Sequence, residues 1–173
     1  MNGFLDQVDA NSRPTRARYV VIFAICLAAV VAYMGRNCLG VASKEVRADL
    51  GISLAQWGGV MSAFFWSYAL AQVPAGWLAH HVGTRVALAM YAAVWSALCA
   101  GFYLVGGLKA LLAIQIGFGV AQAGIFPCSA GMIRHWMPST HWALSVGLMG
   151  SFMSVGGAIG SAITGYAIEG IST

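Results

Sequence analysis

Apolar residues run along this chain in five long blocks, about Tyr19–Ala42, Trp57–Ala79, Val86–Val105, Leu108–Ile133 and Trp142–Ile168. A helix of a soluble protein buries one face and wets the other, but these blocks are apolar on every face. A membrane-spanning helix needs roughly 20 predominantly apolar residues, and each block reaches that length. The pattern predicts an all-α membrane protein with a tail over residues 1–18, a five-span bundle over 19–168 and a short end at 169–173. The connections are short and polar. They are an outer loop Ser43–Gln56, an inner loop His80–Arg85, a tight turn at Gly106-Gly107 and an inner loop Arg134–His141.

Composition supports the membrane reading. Only 8% of residues are charged and 60% are apolar, whereas about a quarter of an average soluble domain is charged. Arg13, Arg16, Arg18, Arg85 and Arg134 fall on the side of the N-terminus, and Lys44, Arg47 and Lys109 on the other. The positive-inside rule then places the N-terminus in the cytoplasm, in a membrane such as the bacterial inner membrane. The net charge of +4 expresses this bias and does not point to nucleic acid. The first block is longer than a signal peptide and four more follow it, so it is read as a span.

The chain offers little for catalysis. Cys26, Cys38, Cys99 and Cys128 lie in or at the ends of spans without zinc-type spacing, and read as small buried hydrophobes. No hydrolase triad, phosphate-binding loop or metal cluster is present, so neither an enzyme nor a cofactor is expected. Partners are the bilayer and whatever crosses it. Gly156, Gly160, Gly157 and Ser161 form small-xxx-small pairs that let helices approach closely in lipid. Pro74 and Pro127 are expected to bend spans 2 and 4.

Arg36 is the informative residue. No Asp or Glu lies within any block, yet Arg36 stands inside the first. An arginine near a helix centre costs about 2.5–3.5 kcal/mol on insertion scales and normally faces a cavity with a partner. With no carboxylate at hand, a bound anion is one reading. The other is that Arg36 snorkels toward the outer surface. Tyr33 shares its helix face. Gln115 and Gln122 lie two turns apart on one face of span 4, and Tyr68 and Gln72 form a similar pair on span 2. Amides in lipid need partners, so these faces should point inward, toward a substrate or another helix.

Several segments resemble one known family. Gly76-Trp77-Leu78-Ala79-His80-His81-Val82-Gly83-Thr84-Arg85 resembles the loop between spans 2 and 3 of the major facilitator superfamily, matching at Gly76, Leu78, Ala79, Gly83 and Arg85. Ala32-Tyr33-Met34-Gly35-Arg36, the run from Ser62 through Tyr68, Gln72 and Pro74 to Gly76, and Gln122-Ala123-Gly124-Ile125-Phe126-Pro127 resemble spans 1, 2 and 4 of its anion:cation symporter branch. Four motifs in order carry the resemblance over about residues 19–168.

The resemblance implies the N-terminal half of a carrier for a small organic anion, a sugar acid or carboxylate. Arg36 would be the anchor, with Tyr33, Tyr68, Gln72, Gln115 and Gln122 lining the cavity. The departures matter as much. The family's span-1 Asp is Gly35 here, its span-4 Glu is Gln122, its span-4 Arg is Gln115, and its loop Asp is His80. The carboxylates that the resemblance assigns to proton coupling are therefore absent. The family has two six-span halves, so five spans predict an incomplete bundle that needs a C-terminal half. A degenerate, non-transporting membrane protein and, less favoured, an organophosphate exchanger are the alternatives.

Overall fold

The computed structural model describes residues 16–172, and the tail expected over residues 1–18 lies almost wholly outside them. The helices are α1 (Ala17–Val41), α2 (Ser43–Leu50), α3 (Leu54–Val82), α4 (Thr84–Gly101), α5 (Leu108–Ala123), α6 (Ile125–Trp136) and α7 (Trp142–Ser172). Single 3-10 turns at Phe102–Leu104 and Ser139–His141 complete the described structure.

The five blocks become α1, α3, α4, the pair α5–α6, and α7. Four stretches are long and apolar enough to cross a membrane: Ala17–Val41, Thr84–Leu104, Leu108–Trp136 and Ser139–Gly170. The remaining one, α3, is 29 residues long and contains no Asp, Glu, Lys or Arg. Gln56, Ser62, Ser67, Gln72, two histidines and its glycines hold its mean hydropathy below the others.

Three connections depart from the expected pattern. The outer segment is not a loop: Ser43–Leu50 is helical, with Glu45 in its first turn and Arg47 in its last. Those positions suit the helix dipole. Gly51 then ends α2 in a left-handed conformation, φ 63°, which glycine adopts without steric penalty. Ser53 restarts the chain through a capping box: Gln56 N–H donates to Ser53 Oγ at 3.2 Å and Ser53 N–H donates to Gln56 Oε1 at 2.8 Å. At the other end Gly83, φ 88°, is the single residue between α3 and α4. Finally, span 4 is interrupted at Gly124, where the Tyr91 ring packs against the backbone. Pro127 lies just beyond and has no N–H to offer the Ala123 carbonyl. Pro74, by contrast, sits inside an uninterrupted α3.

Packing follows two parallel pairs. Along α1 and α7, Val30 meets Gly156 and Met34 meets Gly160. Along α3 and α5–α6, Phe64 and Ser67 meet Gly119, and Gly76 meets Pro127. The pairs cross antiparallel, with Arg36 near Phe64 and Gln122 near Ala32. Lipid tails are as apolar as leucine, so close packing rather than hydrophobic burial holds such helices together. Gly119, Gly156, Gly157 and Gly160 are where a side chain would collide with the neighbouring helix; Gly147, Gly150 and Gly165 have open space instead. Ile22, Ile25, Cys26, Ala29, Ile133 and Met149 pack at the N-terminal end. Ile52, Trp57, Val60 and Leu111 pack at the other. Of the cysteines, Cys26 and Cys128 are buried, Cys38 is half-buried and Cys99 is exposed.

Candidate anion site

Arg36 lies on α1 between the two packing clusters, and its side chain turns inward. Its guanidinium carbon sits 4.6 Å from the Phe64 ring centre, 4.8 Å from Phe65, 5.4 Å from Tyr33 and 5.5 Å from Tyr68. Helical side chains lean toward the N-terminus of their own helix. Here that direction leads from Arg36 toward Tyr33, deeper into the bundle and away from Lys44. Tyr68 is also the midpoint of α3. The charge therefore lies near mid-depth of that helix, the opposite of snorkelling.

This geometry corrects one sequence premise. Arg36 is not left without a partner by the protein, because four aromatic faces surround it. A cation over an aromatic face gains about 0.5–1 kcal/mol at exposed sites and more when desolvated. Four such contacts are worth about 2–4 kcal/mol on that scale, comparable to the roughly 2.5–3.5 kcal/mol insertion cost. The rings make the charge tolerable without an anion. They do not use its N–H groups, since a guanidinium carries five donors and π faces attract the charge alone.

Two cavities meet at this residue. One of about 200 Å³ lies between α1, α3 and α5, lined by Gly35, Arg36, Asn37, Met61, Phe64, Phe65, Gln115 and Phe118 among others. The second, about 460 Å³, lies toward α7 and is lined by Tyr33, Arg36, Asn37, Phe65, Ser154, Gly157, Ser161 and neighbours. No acidic residue among those described lines either one. A third cavity of about 400 Å³ opens on the far side of Gly35, with Cys38, Cys99 and Thr164. Its lining has no cation and includes Asp49, so it does not suit an anion.

The residues singled out from sequence separate into groups. Arg36, Tyr33, Tyr68 and Gln115 come together. Gln115 is buried and lines the inner cavity. Gln122 is buried, but its Nε2 donates to the Ala32 carbonyl at 3.2 Å, so its amide ties α5 to α1. Gln72 is half-buried one turn beyond Tyr68 and lines neither cavity at Arg36. The loop residues Gly76, Leu78, Gly83 and Arg85 lie far along α3 and at the start of α4. There Arg85 and Gly83 border a separate cavity with His135 and Trp136.

Sequence reasoning passed over Asn37, Phe65 and Trp95. Asn37 borders both Arg36 cavities and is seated against Gly157, which has no side chain to displace it. The Trp95 indole N–H is buried with no acceptor among the described residues. Its ring lies 3.5 Å from where a side chain on Gly35 would begin. An unused donor therefore stands beside the position at which the resembling family has its Asp.

The Major Facilitator Superfamily profile matches residues 25–173. The chain belongs to the major facilitator superfamily. The D-galactonate transporter of Escherichia coli O6:H1 is 34% identical over 145 residues, covering 84% of this chain and 34% of that protein. The probable sulfoacetate transporter SauU of Cupriavidus necator is 28% identical, covering 83% and 34%. The hexuronate transporter of E. coli K12 is 27% identical, covering 84% and 33%. The chain thus spans about a third of the length of these relatives. Among solved structures, a bacterial homolog of the human lysosomal transporter Spinster, inward-facing and unoccupied, superposes with a TM-score of 0.82 at 23% identity, covering 90% of this chain and 32% of that one. That likeness carries the fold. The chain is an integral membrane protein of a transporter superfamily, not an enzyme.

Proposed function

We propose that this chain forms one wall of the path for a small organic anion, a sugar acid or related carboxylate, in a major facilitator carrier. The observation that carries this is the Arg36 guanidinium, held by four rings at the meeting of two cavities that contain no acidic residue. Its N–H edges suit a carboxylate, which a guanidinium binds through two parallel hydrogen bonds. Gln115 and Asn37 add neutral groups for hydroxyls. The named relatives support the class, since each is described as a transporter of an organic acid.

The remaining wall belongs to a C-terminal half, because a facilitator site lies between two halves that rock about it. The N-terminus is cytoplasmic and the membrane a bacterial inner membrane in this reading. A non-transporting role stays as the second reading, favoured by the neutral residues Gly35, Gln115 and Gln122 where the resembling family carries charges.

The test is uptake of labelled D-galactonate by vesicles in which the chain is co-expressed with the rest of the D-galactonate relative, the sixth span and C-terminal half that lie beyond the matched third. Uptake is expected with both halves and not with the 173-residue chain alone. Arg36→Lys should lower it about tenfold or more by losing the two-point fork, and Arg36→Gln should abolish it. Normal uptake by the Gln variant would refute the anchor, and accumulation by the chain alone would refute the half-site reading.

A further inference from the structure

A second cationic cavity lies at the opposite end of the α1–α7 pair from Arg36's outer neighbours. It encloses about 210 Å³ where the first turns of α1 and α7 stand side by side. Arg18, Tyr19 and Ile22 come from α1, and His141, Leu144, Ser145 and Leu148 from the start of α7 and the turn before it. The turn is fixed by Trp142 Nε1–H donating to the Met137 carbonyl at 2.8 Å and His141 N–H donating to the Pro138 carbonyl at 2.9 Å.

Two polar groups here lack partners among the described residues. Ser145 is only 4% exposed, lines the cavity and makes no hydrogen bond. Ser151, Ser154 and Thr164 farther along α7 instead donate back to carbonyls one turn earlier. The Arg18 Nε–H is likewise buried without an acceptor. Among the described residues no Asp or Glu lines the cavity, and neither α1 nor α7 has an acidic residue in its first turn. Two parallel helix starts aim their positive ends the same way. An anion with several acceptor oxygens would satisfy all of these groups together.

The rest of the lining says where that anion comes from. Tyr19, Leu144 and Leu148 border the cavity and are also 63%, 70% and 42% exposed on the bundle surface. This rim is apolar, and Arg18 stands at the edge of the first apolar block, where an integral membrane protein passes from lipid to water. Basic pockets between transmembrane helices at a membrane surface suit anionic head groups. We infer that this cavity binds the phosphate of an anionic phospholipid, with Arg18 and Ser145 on the phosphate oxygens and an acyl chain against Leu144 and Leu148.

The experiment is native mass spectrometry of the detergent-purified chain titrated with phosphatidylglycerol or phosphatidylcholine. One phosphatidylglycerol should be retained at several-fold lower concentration than phosphatidylcholine. Arg18→Gln and Ser145→Val should each erase that preference, while Lys109→Gln, a charge removed at the far end of the bundle, should preserve it. Should Arg18→Gln fail to fold, the small Ser145→Val change decides alone. A preference that survives Ser145→Val, or that Lys109→Gln removes equally, would overturn the site in favour of general charge attraction. Inorganic phosphate at 10 mM, about that order being ample for a weak oxyanion site, should not displace the lipid. Displacement would identify a free-anion site and overturn the lipid assignment.

Discussion

The seam between α1 and α7 gives the most direct physical test of the fold. A β-carbon added at Gly156 would lie 2.7 Å from the Cα of Val30, and one at Gly160 would lie 2.8 Å from the Cα of Met34. Non-bonded carbons rest about 3.5–4.0 Å apart, so Ala at either site must push the two backbones apart by roughly 1 Å. Overpacking of this kind costs about 1–3 kcal/mol per site. Gly150 and Gly165 on the same helix have nothing within 4 Å. The doubly substituted Gly150→Ala/Gly165→Ala protein therefore shares the helix-propensity gain of Ala over Gly without the collision. Comparing the two double variants cancels that gain and leaves about 2–6 kcal/mol from the collision alone. At about 2–4 °C per kcal/mol for a chain of this size, the interface variant should unfold at least about 4 °C below the surface variant. Buried Cys26 and Cys128 supply the readout: in a Cys38→Ser/Cys99→Ser background, a thiol-reactive dye reports their exposure on heating. Equal midpoints for the two double variants would refute the close α1–α7 seam.

Two further outcomes follow from the same structure. Gln122→Leu removes the donor to the Ala32 carbonyl while that carbonyl keeps its helical partner within α1, so a loss of about 0.5–1.5 kcal/mol should appear as a lower midpoint in the same thermal assay; an unchanged midpoint would mean that the tie is not formed. Reporter fusions after Gly83 and after Gly107 should lie on opposite sides of the membrane, with Gly83 cytoplasmic, and a cytoplasmic Gly107 would reverse the orientation taken from the basic residues.

The helices were legible because their signal is long and redundant. Twenty apolar residues tolerate a misread position, and the blocks for α1, α4, α5–α6 and α7 reappear as stretches able to span a membrane. Short-range features were harder. Ser43–Leu50 reads as a loop because it is brief and charged, yet Glu45, Arg47 and Gly51 are start and stop signals of a helix. Pro127 drew attention as the bend in span 4, and the interruption falls one turn before it, at Gly124, where Pro127 deprives the Ala123 carbonyl of its helical N–H and the ring of Tyr91 packs against the backbone. The site divided in the same way. Arg36 is conspicuous as the one charge in the interior of a block, Lys109 standing at the very start of another. Phe64 and Phe65 are invisible in that respect, since a ring that covers a cation and a ring that fills a core are the same letter in an apolar run. Gln115 and Gln122 share a helix face and looked equivalent. Tertiary packing gave one a place beside Arg36 and the other a backbone carbonyl.

The cage and the missing carboxylates belong to one electrostatic argument. In a site that holds both an arginine and an acid, the charge is balanced before substrate arrives, and a proton must neutralise the acid if the substrate is to take its place. Here position 35 is glycine and position 122 is an amide already engaged with Ala32. The rings lower the energy of the cation without cancelling its charge, because a quadrupole attracts a cation but carries no net charge of its own. The cavities at Arg36 thus keep a net positive charge, the unused Trp95 N–H stands beside the empty position at Gly35, and in the proposed site the arriving anion is the group that completes neutrality. Binding through this wall would then need no coupled proton. Any proton dependence of an assembled carrier would have to originate in groups away from Arg36, such as the histidines at the helix ends or residues of the rest of the carrier.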